Sequence, residues 1–355
     1  MRNRSTGFWQ ALEAVPGAAA VDAEWKARCG NEYGTAKAFL RPNGKLASSH
    51  PCMVHRGCGC EHEVVVHDSE DIVAVCRCER GCETFALRRS DIVAYELDRP
   101  ALDTALAKVF DLIEETDAGT DLPGTTRIGV YSPYAGYRFP VYLAIQIEPD
   151  DFSEAVDGLL GRNGTPFILL SPTRELCSAK AEKRLTDKRS GFVSLSESVA
   201  IGDKRQLRLL RPLDEVLACA QFRSSNLPSP KEGDSMVFFP TPPDATWRDV
   251  SIRFKDGHTV SVKAKTAGGV FNYTQMGMAN KKNGDPTVQW DLLKTFAEER
   301  GVLDWTSNKA DRKNQKRREL LAANLRDFFR IEGDPFRLTE DGKGWQARFL
   351  ISPDE

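Results

Sequence analysis

Six of the chain's nine cysteines and four of its five histidines lie between His50 and Cys82. Clustered cysteines in a reducing compartment are metal ligands rather than disulfides, so this density constrains the segment more than any other feature does. Two pieces echo each other, Cys52-Met-Val-His-Arg-Gly-Cys58 and Cys76-Arg-Cys-Glu-Arg-Gly-Cys82. Each is a C-x5-C ending in Arg-Gly-Cys, and seventeen residues separate them. Between the halves, Glu63–His67 and Asp71–Val75 are β-branched runs joined by Asp-Ser-Glu, which predicts a hairpin. Thr84–Leu87 adds a third strand. The layout is that of a four-ligand zinc site made of two knuckles joined by a hairpin, in a unit with too little core to fold without a staple. The repeat favours Cys52, Cys58, Cys76 and Cys82 as the ligands. Cys60, Cys78 and His55 are the competitors, with His62 behind them. Six cysteines exceed what one site needs, which leaves a second zinc or a redox role open.

On these residues the stretch from about residue 36 to 90 resembles the zinc ribbons found across nucleic-acid-handling proteins. It departs from them in having C-x5-C where they have C-x2-C. The resemblance implies a closed, structural site. No H-E-x-x-H motif accompanies it, so a catalytic zinc is not expected.

The length, 355 residues, suits two or three domains with a core in each. The formal net charge of −2 argues neither for nor against nucleic acid. No apolar run of about 18 residues is present, so no membrane span is expected. The first residues lack the apolar core of a signal peptide, and the expected location is cytoplasmic.

The fold class expected is α+β and multidomain. Residues 1–118 form an N-terminal zinc-ribbon module with flanking helices, in which Phe8, Trp9, Leu12 and Val15 recur at helical spacing. Ala36–Leu40 and Lys45–Ser49 are read as strands of a hairpin around Pro42-Asn43-Gly44. A helix from Pro100 presents Leu102, Leu106, Val109, Phe110 and Ile113 on one face. Residues 119–223 alternate strands with helices and form a small α/β domain. Its strands are Arg127–Ser132, Phe139–Ile147, Phe167–Leu170 and Phe192–Ile201. Its helices are Phe152–Leu160, Glu175–Arg184 and a closing one from Leu207 to Phe222. Residues 224–244 are a proline-rich linker, and 245–355 form the last domain.

In that last domain Val250–Phe254 and Thr259–Val262 pair around Asp256-Gly257. A helix holds Trp290, Leu292, Leu293, Phe296 and Ala297. A longer helix from about Ala310 to Arg330 buries Leu320, Leu321, Leu325, Phe328 and Phe329. Phe336–Thr339 and Trp345–Ile351 close the chain as a hairpin. The pieces WDLLKTFAEERG, RRELLAANLRDFF and PFRLTEDGKGWQARFLI resemble a winged-helix domain of the response-regulator type. The segment Val302–Lys309 is short for that fold's middle helix. The resemblance implies a recognition helix in the major groove of double-stranded DNA. Its base-facing residues come from the helix start. On this chain these are Arg312, Lys313, Asn314, Lys316, Arg317 and Arg318, with Lys343 and Arg348 on the wing. Arginine can pair with guanine through two hydrogen bonds, and lysine holds phosphates.

The α/β domain carries no phosphate loop, no dinucleotide fingerprint and no nucleophile elbow. It holds no histidine, the usual catalytic base. Glu148, Asp150 and Asp151 follow a buried strand. They read first as acids at a helix N-terminus and second as a nuclease metal site. Cys177 reads as structural. The expectation is a zinc-containing DNA-binding protein, a transcriptional regulator or the recognition subunit of a larger system. Its α/β domain would dock a protein partner or sense a ligand. A metal-dependent nuclease around Glu148–Asp151 and a protein–protein adaptor without nucleic-acid affinity are the alternatives.

Overall fold

The computed structural model describes residues 7–53, 60–78, 81–115, 122–217, 236–304 and 314–353. Cys58, His55, Arg312 and Lys313, and most of the expected linker, lie outside them. The architecture is mixed α and β. The chain divides into two compact units, Met1–Tyr131 with Phe139–Arg223, and Ser132–Arg138 with Ser224–Glu355. The ribbon segment and the α/β segment therefore belong to one unit, not to two.

In the first unit, α1 (Phe8–Ala14) is followed by β1 (Ala19–Val21), α2 (Asp22–Cys29) and the short α3 (Tyr33–Ala36). Phe8, Trp9, Leu12 and Val15 are all buried, as their spacing predicts. The expected hairpin at Pro42-Asn43-Gly44 does not form. Ala36 to Phe39 is helical, and β2 (Leu40–Leu46) runs through the turn residues as one strand. Gly44 takes a left-handed φ of 76°, and Asn43 Oδ1 accepts the Lys45 N–H at 2.9 Å. The would-be turn is thus absorbed as a bulge. Next come β3 (Ser49–Pro51), β4 (Glu61–Val66), β5 (Ile72–Cys76), β6 (Phe85–Leu87) and β7 (Val93–Leu97). β7 pairs antiparallel with both β1 and β2, and it gives β2 the partner that keeps it extended.

α4 (Arg99–Val109) starts on Asp98, whose side chain accepts the Ala101 N–H, with Pro100 in the first turn. β8 (Thr125–Tyr131), β9 (Phe139–Ala144), α5 (Pro149–Arg162), β10 (Ile168–Ser171), α6 (Ala179–Asp187) and β11 (Gly191–Ser194) build the α/β sheet. Its order is β11-β10-β9-β8, with β9, β10 and β11 parallel and β8 antiparallel. Phe152, Val156 and Leu159 of α5 and Ala181 and Leu185 of α6 pack with Phe167, Leu169 and Phe192 into one core. α6 starts four residues later than its pattern predicts, because Ser178 caps it by accepting the Ala181 N–H at 3.2 Å. The expected strand over 192–201 is broken by the single turn α7 (Leu195–Ser198). β12 (Val199–Ile201) then pairs with β13 (Leu207–Leu209), where a helix was expected to begin. α8 (Leu213–Leu217) follows.

In the second unit, β14 (Val250–Phe254), β15 (Thr259–Ala264) and β16 (Ala267–Asn272) form a meander. α9 (Val288–Glu298) and β17 (Val302–Asp304) lead to α10 (Asn314–Phe329). The chain ends with β18 (Phe336–Leu338), β19 (Gly344–Ala347) and β20 (Leu350–Ser352). The expected return strand is therefore two strands. β19 pairs with β18 and β17 in the order β17-β19-β18, whereas β20 leaves to run parallel to β14. Leu321, Leu325, Phe328 and Phe329 of α10 are fully buried, but Leu320, expected beside them, is 47 % exposed. Phe239 is buried with them. Arg330 ties in the Ser132–Arg138 stretch: its Nε donates to the Ala135 carbonyl at 2.9 Å, and its guanidinium lies 4.3 Å from the centre of the Phe238 ring.

Candidate metal centre

The cysteine-rich segment is the antiparallel sheet β3-β4-β5-β6. In it the β3–β4 and β5–β6 connections leave from one end. Directly opposed residues of an antiparallel pair share a face. The register sets His62 against His50 on one side and Cys76 on the other, Val64 against Ala74, and Ala74 against Phe85. One face is therefore apolar at its far end, through Val64, Ile72, Ala74, Phe85 and Leu87, and turns into histidine and cysteine at the near end. The apolar part is small: Ile72, Ala74, Leu87 and Ile92 are its buried residues. A core of that size supports a metal as the additional staple.

At the near end the sulfurs of Cys60, Cys76, Cys78 and Cys82 all lie within 4.8 Å of one another. Cys78 Sγ is 3.1 Å from Cys60 Sγ and 3.0 Å from Cys76 Sγ, and Cys82 Sγ is 3.9 Å from Cys60 Sγ. A tetrahedral ion with metal–sulfur bonds of about 2.3 Å has sulfur–sulfur edges of roughly 3.8 Å; the Cys82–Cys60 separation matches that edge and the two to Cys78 are shorter, so the four sulfurs are gathered within reach of one such ion. The described cysteines form no disulfide. Gly81, at φ 58°, donates its N–H to the Cys78 carbonyl at 3.0 Å, which folds the second knuckle back on itself. The Cys52 N–H donates to the Cys60 carbonyl at 3.1 Å, just beyond the paired residues of β3 and β4.

The structure thus gathers Cys76 and Cys82 with Cys60 and Cys78, two of the named competitors. Cys52 falls in a neighbouring group with His62 and Cys82. Of the four gathered cysteines only Cys76 lies in a strand; Cys60 immediately precedes β4, and Cys78 and Cys82 lie between β5 and β6. Among the described residues Cys29 and Cys177 stand apart. Burial pushes their thiols up, to about 12 for Cys29 and about 11 for Cys177, so neither is a ready thiolate.

Elsewhere, Glu148, Asp150 and Asp151 are exposed at the start of α5, with Asp150 and Asp151 in its first turn. Among the described residues they join no group of side chains that could hold an ion. Of the cations expected at the start of α10, Lys316 is exposed and Arg317 half-buried. Arg318 is buried, paired with Asp334, and stacked 4.2 Å from the centre of the Trp345 ring. Asn314 is the first residue of α10, and Lys343 and Arg348 are exposed beside β19. Among the described residues no helix is long and apolar enough to cross a membrane. No protein-family model, no curated protein and no solved structure matches the chain.

Proposed function

We propose that this chain is a zinc-containing protein that binds double-stranded DNA, acting as a transcriptional regulator or as the DNA-recognition subunit of a larger system. On this reading the β3–β6 sheet is a zinc ribbon with Cys60, Cys76, Cys78 and Cys82 on the ion, an all-thiolate set that suits zinc in the reducing cytoplasm. The second unit is read as a winged helix, in which α10 is the recognition helix and β18–β19 the wing.

The observation that carries the reading is the tie between α10 and β19. Arg318 sits on Trp345, which fixes the first turns of α10 against the hairpin. Both elements carry exposed cations there, Lys316 on one and Lys343 on the other. A rigid pair of basic elements is what contact with a groove and its flanking phosphates requires. The order β17-β19-β18, with a strand between α9 and α10 pairing with the hairpin, is consistent with a wing packed on its helices.

The test is binding of the full chain to a random duplex library across a salt series. Affinity should fall linearly in log–log form with salt, and selected sequences should share a motif. Absence of duplex binding at low salt overturns the proposal and leaves the protein-adaptor reading.

A further inference from the structure

We propose that the β3–β6 sheet holds a second metal ion, bound by Cys52, His62 and Cys82, with the Cys82 sulfur shared between the two ions. The donor atoms of these three residues lie within 4.8 Å of one another, the same spacing that defines the cysteine quartet. Cys82 belongs to both groups, and a thiolate has lone pairs enough to bridge two cations.

An independent observation points the same way. His62 is fully buried, and its Nε2 has no hydrogen-bond partner among the described residues. Its Nδ1 lies 3.4 Å from the Ala74 carbonyl. With the proton on Nδ1 and directed at that carbonyl, Nε2 presents its lone pair. Metal-bound histidines are held in this way: the distal nitrogen donates to a backbone carbonyl and fixes the tautomer. A lone pair left buried and unmatched is unfavourable, and a bound cation would satisfy it. The strand register accounts for the placement, because His62 stands opposite Cys76 and shares its face.

Charge balance favours the second ion. One divalent zinc on four thiolates leaves two negative charges in a partly desolvated site. A second zinc that adds one thiolate, Cys52, and a neutral imidazole lowers that surplus to one. The inference rests on the quartet holding an ion of its own and is independent of DNA binding.

The experiment is a metal count on the zinc-loaded full chain by native mass spectrometry, repeated on Cys52→Ser and His62→Gln. The wild type is expected to carry two zinc ions and each variant one. Loaded with cadmium, the wild type should give two cadmium NMR signals coupled through the shared sulfur. Replacing His62, a core residue, can unfold the sheet, so the half-buried Cys52 carries the test separately. A single zinc in the wild type, or two in both variants, overturns the second site. A wild type that binds no zinc at all overturns the quartet as well.

Discussion

The guanidinium of Arg318 lies 4.2 Å from the centre of the Trp345 ring and pairs with Asp334. One of the densest positive charges in the sequence is therefore spent inside the fold, while its neighbour Lys316 faces solvent. The two residues separate stability from binding. Arg318→Ala should lower stability by about 2 kcal/mol, the scale of a desolvated cation–π contact. Arg318→Lys should rescue little of it, because the planar stacking is lost. Lys316→Ala should leave stability within about 0.5 kcal/mol and reduce the salt slope of duplex binding by about one. Denaturant melts and a salt series on both variants check the split. Equal effects on stability would contradict it.

Cys78 sits between Cys60 and Cys76, at 3.1 and 3.0 Å. Cys78→Ser should therefore release the quartet's metal and destabilise the β3–β6 sheet, whose buried apolar core is small. Cys29→Ser and Cys177→Ser should retain it. The readout is metal released to a coloured chelator, followed with falling pH. Release is expected on acidification, since protons compete for thiolates.

Much of this arrangement could be read from the sequence where one physical rule dominated. The β-branched runs around Asp68 form β4 and β5, and the apolar stripes of α1, α5 and α9 are buried. The errors fell where tertiary partners overrode local signals. Pro42-Asn43-Gly44 has turn chemistry, yet β7 offers a pairing edge and keeps β2 extended. Arg318 looked like a free cation because nothing local announces Trp345, which follows it by a long stretch of chain. The described sulfurs gather differently from the repeat for another reason, and Cys58 of that repeat lies outside the described residues. The C-x5-C repeat is a regularity of spacing, whereas Cys60, Cys78 and Cys82 reach Cys76 from the connections at the ends of β4, β5 and β6, whose course no local pattern sets.

Gly344 makes a backbone approach that no side chain would permit. A Cβ there would stand 2.5 Å from the Leu303 carbonyl oxygen and 2.9 Å from Asp304 Cα, and Asp304 is its partner in the β17–β19 pairing. Gly344→Ala must push β17 off β19, at a cost of about 1–3 kcal/mol. Gly342→Ala is the comparison: it has open space, and only its left-handed φ of 69° is penalised. Thermal melts should place Gly344→Ala below wild type, and unchanged amide protection in β17 would show that the close approach is not limiting.

Glu13 of α1 is buried against the end of β10, where it accepts hydrogen bonds from the Thr173 N–H at 2.9 Å, the Ser171 hydroxyl at 3.2 Å and the Thr173 hydroxyl. It fixes α1 onto the α/β sheet. Removing it in Glu13→Ala leaves those donors unmatched, for a loss of about 2–4 kcal/mol. Burial raises the Glu13 carboxyl above the ordinary glutamate range, with Glu175 adding repulsion, against the lowering effect of the hydrogen bonds. The folded protein therefore holds this proton more tightly than the unfolded chain does. The stability it contributes is complete below the ordinary glutamate range and is lost as pH rises through the raised folded value. Glu13→Gln carries no such proton. Urea melts of both proteins over a pH series should show the stability difference moving in favour of Glu13→Gln as pH climbs through that window. Curves that stay parallel across it would mean the buried carboxyl ionises no less readily than in the unfolded chain.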